Sequence, residues 1–277
     1  MHWKQGLKLV IVVIIPLVSA CTSMAQREIE APVQPALILM TKNCAVGCPS
    51  GGSARTLDRA AYTLNNNGTT KFANWVAYTI TKTTSANGRA RDWQADPDIP
   101  ADETLAPEDF AGANAALKVD RGHQANLASM GGTPDWEALN YLSNITPQKA
   151  NLNQGPWARL EEKERNLSKV PGIGSVSVIT GPLYEHFVGT LPGTQKPHTI
   201  PSGYWKIIFV GSTPENGLYA SFVMDQETPH GADYCHYQVG INEIESRSGL
   251  KVWRGLPEVV QASLKSKTGS LPAKLGC

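Results

Sequence analysis

Four adjacent residues, Asp120-Arg121-Gly122-His123, place an acid, a base, a glycine and a histidine together after a short apolar segment. The pKa of a histidine suits it to accept a proton near neutral pH, and a flexible glycine beside it lets the ring face a substrate. The pattern therefore predicts a general base at His123. A histidine satisfied on the surface or in the core is the structural alternative, which the motif alone leaves open.

A second polar group follows at Asn151, Asn153, Gln154 and Glu161. Asn151 with Gln154 three residues later is typical of a helix N-cap and its capping-box partner. On such a helix, Asn153 and Glu161 are separated by two turns plus about 80° and roughly 12 Å of rise, too far for both to chelate one ion directly. One could bind a metal ion while the other reaches the surrounding water. The alternative is plain capping at Asn151 and a solvated charge at Glu161.

The elements that would position these residues belong to an α+β domain. Asn65-Asn66-Asn67-Gly68 between two apolar runs is a strong hairpin signal, because Asn and Gly tolerate positive φ. The polar stretch 85–112, which contains three prolines, is expected to be a long irregular surface segment of the kind that often carries function. Strands are predicted at 61–64, 72–80, 176–179, 205–210 and 219–224, and helices at 135–142, 157–167 and 257–264.

Length and charge limit the class of protein. The 277 residues suffice for one large domain or two small ones with a buried core. Lys and Arg number 25 against 24 Asp and Glu, so the net charge of +1 creates no global field to attract polyanions. Any attraction for nucleic acid must be local. That argues against a protein that coats nucleic acid, but not against an enzyme with a small basic cleft.

The N-terminus has the features of an export signal. Lys4 and Lys8 precede an apolar run at 9–18, which is too short for a bilayer span of roughly 20 residues but suits a signal peptide. Small residues before Cys21 resemble a lipobox, which predicts a signal at 1–20 and a lipidated cysteine. The alternative is ordinary cleavage after residue 25, with a signal at 1–25. The protein is thus expected to be exported, as an outer-membrane lipoprotein or in secreted or periplasmic form, with a tether at 22–42 and a folded domain at 43–277.

The sequence contains five cysteines, so one has no disulfide partner if the others pair in an exported protein. If Cys21 is lipidated or removed, the others suffice for two disulfides in an oxidising compartment. Cys44 and Cys48 are close enough in sequence to close a local loop, and Cys235 with Cys277 would then tie the chain end to the body. A zinc site is the alternative use, but neither pair has the usual C-x2-C form with a matching second knuckle.

The sequence resembles the DNA/RNA non-specific endonuclease family, of the ββα-metal type. The stretch from Asp120 to His123, followed by Gln124 and Ala128, matches the family signature. The resemblance covers nearly all of the chain from about residue 43 to the end, and it includes the positions of the four cysteines after Cys21. Further matching segments are 44–48, 144–161, 180–185 and 191–196.

This resemblance implies how the site would work. His123 would be the general base that activates water, and Arg91 would stabilise the pentacovalent phosphate. Asn153 would be the one direct protein ligand of a Mg²⁺ ion, and Glu161 would orient a water molecule on that ion. Arg89 lies two residues before Arg91, so the choice of Arg91 as the phosphate-facing arginine depends on the alignment alone.

The resemblance also implies substrate contacts and two departures. Arg121, Asn144 and Gln148 are the implied substrate-binding residues, with Asn144 supporting the site from beside it. A secreted family member carries proline at the position of Asn126, a difference that we do not expect to abolish activity. The lipobox-like Cys21 is the second departure, because that relative is released to the medium.

The implied fold is a central antiparallel β-sheet flanked by helices, with a ββα-metal motif at its edge. The implied activity is Mg²⁺-dependent hydrolysis of DNA and RNA to 5′-phosphorylated oligonucleotides, and a homodimer, as in the secreted relative, remains open. One alternative is a nuclease restricted to one kind of nucleic acid. Another is a catalytically silent, surface-anchored lipoprotein that binds nucleic acid. The joint presence of His123, Asn153, Glu161 and Arg91 favours an enzyme, since a silent protein would be expected to lose at least one.

Overall fold

The computed structural model describes residues 1–2 and 38–277. The predicted signal peptide, Cys21 and most of the tether at 22–42 lie outside the described residues. The chain contacts the folded body from Leu39 onward, because the Leu39 carbonyl accepts a hydrogen bond of 2.9 Å from the Cys48 amide. Among the described residues, no helix is both long and apolar enough to cross a membrane.

An antiparallel sheet of six strands forms the centre of the fold, and with the surrounding helices it confirms the predicted α+β class. Side chains alternate between two buried faces: Trp75 and Ala77 enter one core cluster, while Val76 and Tyr78 enter another. The strands of this sheet, in the order β1-β2-β3-β6-β7-β8, are β1 Thr56–Asp58, β2 Thr63–Asn67, β3 Phe72–Ile80, β6 Val176–Leu183, β7 Gly203–Val210 and β8 Leu218–Asp225.

The predicted hairpin at Asn65 to Gly68 is present, but its turn lies further along the chain. β2 continues through Asn67, and the connection to β3 ends at Lys71, which has φ of 73°. The buried Asn65 side chain donates to the Ser53 carbonyl at 2.8 Å. Because such tertiary partners satisfy its amide, Asn65 lies within the strand and not in the turn.

A separate antiparallel hairpin carries the histidine motif. Its strands are β4 Val119–His123 and β5 Ile145–Lys149, with His123 opposite Ile145 and Asp120 opposite Gln148. Neither strand was predicted. A helical segment starts directly after β5, so the two paired strands and this helix form a ββα unit, with residues 124–144 connecting the strands.

Two helix predictions are wrong in detail. The region 135–142 forms two short 3-10 turns and no α-helix, because Tyr141 is extended and the Leu142 amide donates to the Gln94 carbonyl at 2.9 Å. Asn151 is not an N-cap, since the helix begins at Ala150, whose amide donates to the Lys118 carbonyl at 2.9 Å. The α-helices are α1 Ala113–Leu117, α2 Leu127–Met130, α3 Ala150–Leu152, α4 Ala158–Leu167, α5 Ile241–Ser248, α6 Glu258–Lys265 and α7 Pro272–Leu275; the 3-10 turns are Pro107–Phe110, Trp136–Asn140, Leu142–Asn144 and Tyr234–Tyr237.

Both predicted disulfides are confirmed. Cys44 is bonded to Cys48, and Cys235 to Cys277. The first closes a short loop buried against the sheet, and the second ties the end of the chain to the turn that follows β8. The pairing is consistent with an exported protein.

Candidate active site

A cleft of about 790 Å³ lies between the 86–93 segment, the hairpin strand β4 and the start of α4. Five of the predicted site residues line it: Arg91, Arg121, His123, Asn153 and Glu161. The same wall contains residues without an assigned role in the sequence analysis: Trp93, Asp120, Asn126 and Arg165. Tertiary structure therefore brings together side chains from segments far apart in sequence.

His123 ends β4 and is held in one orientation. Its Nε2 lies 3.2 Å from Oδ1 of Asn140, whose own Nδ2 donates to the Ala90 carbonyl at 3.0 Å. Because the amide oxygen only accepts, Nε2 carries the proton and Nδ1 is left as the basic atom. Burial lowers the pKa of His123 to about 4; the bond to Asn140 opposes this effect and the charge of Arg91 adds to it. The ring is thus neutral at physiological pH and ready to accept a proton.

Asn153 begins a π-helical stretch, Asn153–Trp157, between α3 and α4. The helix is broken at Gly155, where a Cβ would lie 2.6 Å from the His230 carbonyl oxygen, so only glycine allows this close approach. Asn153 Nδ2 donates to Oδ2 of Asp120 at 3.0 Å, and Gln154 donates to the same oxygen at 2.8 Å. Asp120 thereby orients the Asn153 amide and leaves its Oδ1 available to a cation.

The ligand chemistry fits a hard divalent cation. Among the described residues, no group of three or more His, Cys, Asp or Glu side chains could enclose a metal ion. A site with one amide oxygen from Asn153, the carboxylate of Asp120 beside it and water in the other positions suits a hard divalent cation. These residues therefore fit the kind of site that the family resemblance implies.

Glu161 is buried at the inner wall of the cleft. Its Oε2 accepts a hydrogen bond of 2.6 Å from Nδ2 of Asn126, and its Oε1 lies 3.8 Å from Nζ of Lys206. Lys206 is fully buried, and its Nζ lies 2.9 Å from Oε1 of Glu164, so a single lysine is the cation next to both carboxylates. Burial raises the pKa of Glu161 to about 7, an effect that the charge of Lys206 opposes and that of Glu164 reinforces.

Arg89, Arg91 and Arg121, which line the cleft, differ in what they contact. Arg89 already has partners within the protein, because its Nε donates to the Gly131 carbonyl at 2.7 Å and its guanidinium lies over the ring of Trp136. Arg121 lies between the rings of Trp93 and Phe110, at 5.6 and 5.3 Å from their centroids. Its Nε is buried without a partner among the described residues. Arg91 is exposed, and its charge acts on His123.

The resemblance implies substrate binding for Asn144 and Gln148, with Asn144 supporting the site from beside it. Both side chains are buried and lie outside the cleft wall. Asn144 accepts from the Ala125 amide at 2.8 Å and donates to the carbonyls of Ala125 and Leu139, at 3.1 and 2.9 Å. It therefore fixes the backbone that follows His123. The resemblance that implied their roles carries no information on burial, which the fold decides.

Sequence reasoning missed Asp120 as the residue that orients Asn153, and it missed Asn126 and Lys206 as the contacts of Glu161. Lys206 did leave a signal, since it is the one charged residue in the apolar strand 204–210. A lysine buried in a central strand requires a carboxylate partner. Asn126 left no such signal, because asparagine is ordinary in a loop.

A hairpin followed by a helix, with a histidine on one side of the cleft and an asparagine amide on the other, defines a nuclease of the ββα-metal class. The chain is 63% identical over 236 residues to a nuclease of Serratia marcescens, covering 85% of this chain and 89% of that protein. It is 26% identical to bovine mitochondrial endonuclease G, covering 79% of this chain and 80% of the relative. A solved complex of EndoG with its inhibitor EndoGI superposes with a TM-score of 0.63 at 23% identity, over 75% of this chain and 89% of that one, and supports the fold.

Residues 39–259 match the DNA/RNA non-specific endonuclease family. The chain belongs to this family, and membership confirms the predicted enzyme, a non-specific endonuclease that acts on DNA and RNA. The family generally uses a divalent metal ion, in agreement with the ligand chemistry around Asn153.

Proposed function

We propose that this endonuclease hydrolyses phosphodiester bonds of DNA and RNA with Mg²⁺ as its cofactor and releases 5′-phosphorylated oligonucleotides. The observation that carries the proposal is the convergence of a neutral histidine, an exposed arginine, an oriented amide oxygen and a buried carboxylate on one cleft. A silent nucleic-acid-binding protein would have no need of this combination.

In the proposed reaction, Nδ1 of His123 takes a proton from water as the water oxygen attacks phosphorus. The bond from phosphorus to the 3′ oxygen breaks, and the phosphate stays on the 5′ side. Arg91 stabilises the charge that develops on the phosphate, since its guanidinium is exposed in the cleft and Arg89 is committed to Gly131. Arg121 binds the backbone of the substrate.

Mg²⁺, held by Asn153 Oδ1, would supply charge neutralisation and assistance to the leaving oxygen. Asp120 orients the Asn153 amide through the hydrogen bond from Nδ2, so that Oδ1 would be available to hold the ion. Glu161 would accept hydrogen bonds from water bound to the ion. With one neutral protein ligand, the ion would retain most of its charge to act on the substrate.

The proposed indifference to sugar and sequence follows from contacts to phosphate. Arginines bind phosphate oxygens, which DNA and RNA share, and phosphate contacts carry no sequence information. The net charge of +1 makes this attraction local to the cleft.

Purified mature protein, incubated with supercoiled plasmid and with RNA, tests the proposal. We expect cleavage of both in Mg²⁺, none in EDTA, and products that a 5′-phosphate-dependent exonuclease degrades. Cleavage that persists in EDTA contradicts the metal scheme. Binding without cleavage, in Mg²⁺, would establish the silent lipoprotein instead, and cleavage of one nucleic acid alone would establish the restricted nuclease.

We also propose that Cys21 is lipidated and anchors the mature protein to the outer membrane. The support is the lipobox-like Val18-Ser19-Ala20-Cys21, in which small uncharged residues precede the cysteine. Cys21→Ser should then move the enzyme from the membrane fraction to the soluble fraction with unchanged specific activity. A wild-type protein that is soluble, with Gln26 as its first residue, would establish plain secretion. The family resemblance also motivates a homodimer, for which sedimentation velocity is the test.

A further inference from the structure

Asn126 occupies the turn between β4 and α2, at the wall of the cleft. It is the N-cap of α2: its Oδ1 accepts a hydrogen bond of 2.9 Å from the Ser129 amide. A cap of this kind accounts for an asparagine at this position on structural grounds alone. The cap uses only the oxygen of the amide and leaves its nitrogen free for another partner.

The amide nitrogen of Asn126 contacts the catalytic wall. Its Nδ2 donates to Oε2 of Glu161 at 2.6 Å, across 35 residues of sequence. Its Oδ1 also accepts from Nη1 of Arg165 at 3.1 Å. One amide group therefore contacts an acid and a base that both line the cleft.

Glu161 and Arg165 are four residues apart on α4. An acid followed by a base at this spacing on a helix is the arrangement that forms a direct ion pair. Among the described residues the two are not paired; each bonds to the amide of Asn126 instead. The other oxygen of Glu161 faces Lys206 at 3.8 Å, so both oxygens of the carboxylate have a defined neighbour.

We propose that Asn126 is a positioning residue, whose amide keeps Glu161 and Arg165 from pairing with each other and holds both toward the cleft. Without it, the Arg165 guanidinium turns onto the Glu161 carboxylate and occupies the oxygens needed for the water around the cation. The inference rests on the proposed function, in which Glu161 acts on that water.

Two substitutions separate positioning from capping. Asn126→Ser keeps a side-chain oxygen that caps α2 but is too short to reach Glu161. Asn126→Asp keeps the helix cap and the shape of the side chain. It replaces the Nδ2 donor with a carboxylate oxygen, which then faces the carboxylate of Glu161. We expect kcat to fall about tenfold in the serine variant and further in the aspartate variant, because a charge-assisted hydrogen bond is lost, while KM for DNA changes less than about twofold. The thermal midpoint of the metal-free serine variant should stay close to that of the wild type.

Asp233→Ala is the matched control, because Asp233 caps the Tyr234–Tyr237 turn through the Cys235 amide, outside the cleft. We expect it to lower the thermal midpoint and to leave kcat unchanged. A serine variant of Asn126 with the same behaviour, or with kcat within about twofold of the wild type, would overturn the proposal. If the serine variant does not fold, the aspartate variant is measured instead, and a kcat within about twofold of the wild type would overturn the proposal.

A double-mutant cycle with Glu161→Gln tests whether Asn126 acts through Glu161. We expect the effect of Asn126→Ser on kcat to shrink from about tenfold to less than about threefold in the glutamine background, since coupled residues are not additive. Equal effects in both backgrounds refute the positioning role. Wild-type kcat in Glu161→Gln alone would instead refute the role of Glu161 in the proposed function, a different result from failure of the cycle.

Discussion

Glu161→Gln should lower kcat and at the same time stabilise the metal-free protein at alkaline pH. Glu161 is buried, and Lys206, the lysine nearest to it, lies closer to Glu164, at 2.9 Å against 3.8 Å for Glu161. An ionised Glu161 is therefore a second carboxylate next to a single buried cation. Glutamine keeps the size of the side chain and can still accept the hydrogen bond from Asn126.

The size of this effect follows from the pKa. Folding raises the pKa of Glu161 from 4.5 to about 7. Between these two values the folded state retains a proton that the unfolded state has lost, so the free energy of unfolding of the wild type falls as pH rises through this window. Above pH 7 the full penalty is present, on the order of 3 kcal/mol. For a domain of this size, that corresponds to a rise of roughly 6 °C in Tm on substitution.

Thermal unfolding in EDTA, at about pH 8 and about pH 4.5, measures the effect. We expect Glu161→Gln to raise Tm at the higher pH and to leave it nearly unchanged at the lower pH, where Glu161 is protonated in the folded protein. Glu162→Gln is the control, because Glu162 is the exposed neighbour on α4 and its substitution should change stability by less than about 0.5 kcal/mol.

Two results would refute this reasoning. If Glu161→Gln lowers Tm at the higher pH, the carboxylate is stabilising when ionised and Lys206 satisfies both acids. If Tm rises equally at both pH values, the gain does not come from ionisation. A variant that is more stable but retains wild-type activity would leave the electrostatic argument intact and contradict the role of Glu161 in catalysis.

Further predictions address the base, the metal ligand, the buried lysine and the second disulfide. His123→Ala should lose about 10² to 10⁴ in kcat with an unchanged Tm, measured by plasmid cleavage and thermal unfolding; near-normal turnover contradicts the assignment. Asn153→Ala should raise the Mg²⁺ concentration that gives half-maximal rate on DNA and RNA alike; an unshifted metal titration excludes it as the ligand. Lys206→Met leaves two buried carboxylates without their cation and should lower the free energy of unfolding by about 3 to 5 kcal/mol in urea, whereas a loss below about 1 kcal/mol would show that they are solvated. Replacing Cys235 and Cys277 by serine opens a loop of 42 residues and should lower the free energy of unfolding by about 4 kcal/mol, because the unfolded chain gains entropy. Urea unfolding measures this loss, and an unchanged urea midpoint would contradict it.

Several parts of the fold were readable from local sequence, because local physics decides them. The apolar and β-branched run at 72–80 is a strand over the same residues in the structure, and the strands predicted at 176–179, 205–210 and 219–224 lie within β6, β7 and β8. Helix α4 was predicted to within one residue at its start. Strands β4 and β5 were missed, since Val119–His123 and Ile145–Lys149 carry few of the residues that favour strands and pair across 21 intervening residues.

The types of the catalytic residues were evident before the fold was known. From residue types alone, the histidine, the asparagine and the glutamate could also have had purely structural roles. The family resemblance nominated His123, Asn153, Glu161 and Arg91 together, because a signature match depends on the order of residue types and needs no folded structure. The structure brings all four to one cleft.

Only the tertiary structure decided the state and orientation of these groups. The pKa of His123 and that of Glu161 depend on burial and on charges from other segments, among them Arg91 and Lys206. The family resemblance implied substrate contacts for Asn144 and Gln148, and only the packing of the fold shows that both side chains are buried. Solvation and hydrogen bonding act through space and not along the chain. The contacts that tune this site, from Asp120 to Asn153 and from Asn126 to Glu161, therefore exist only once the chain has folded.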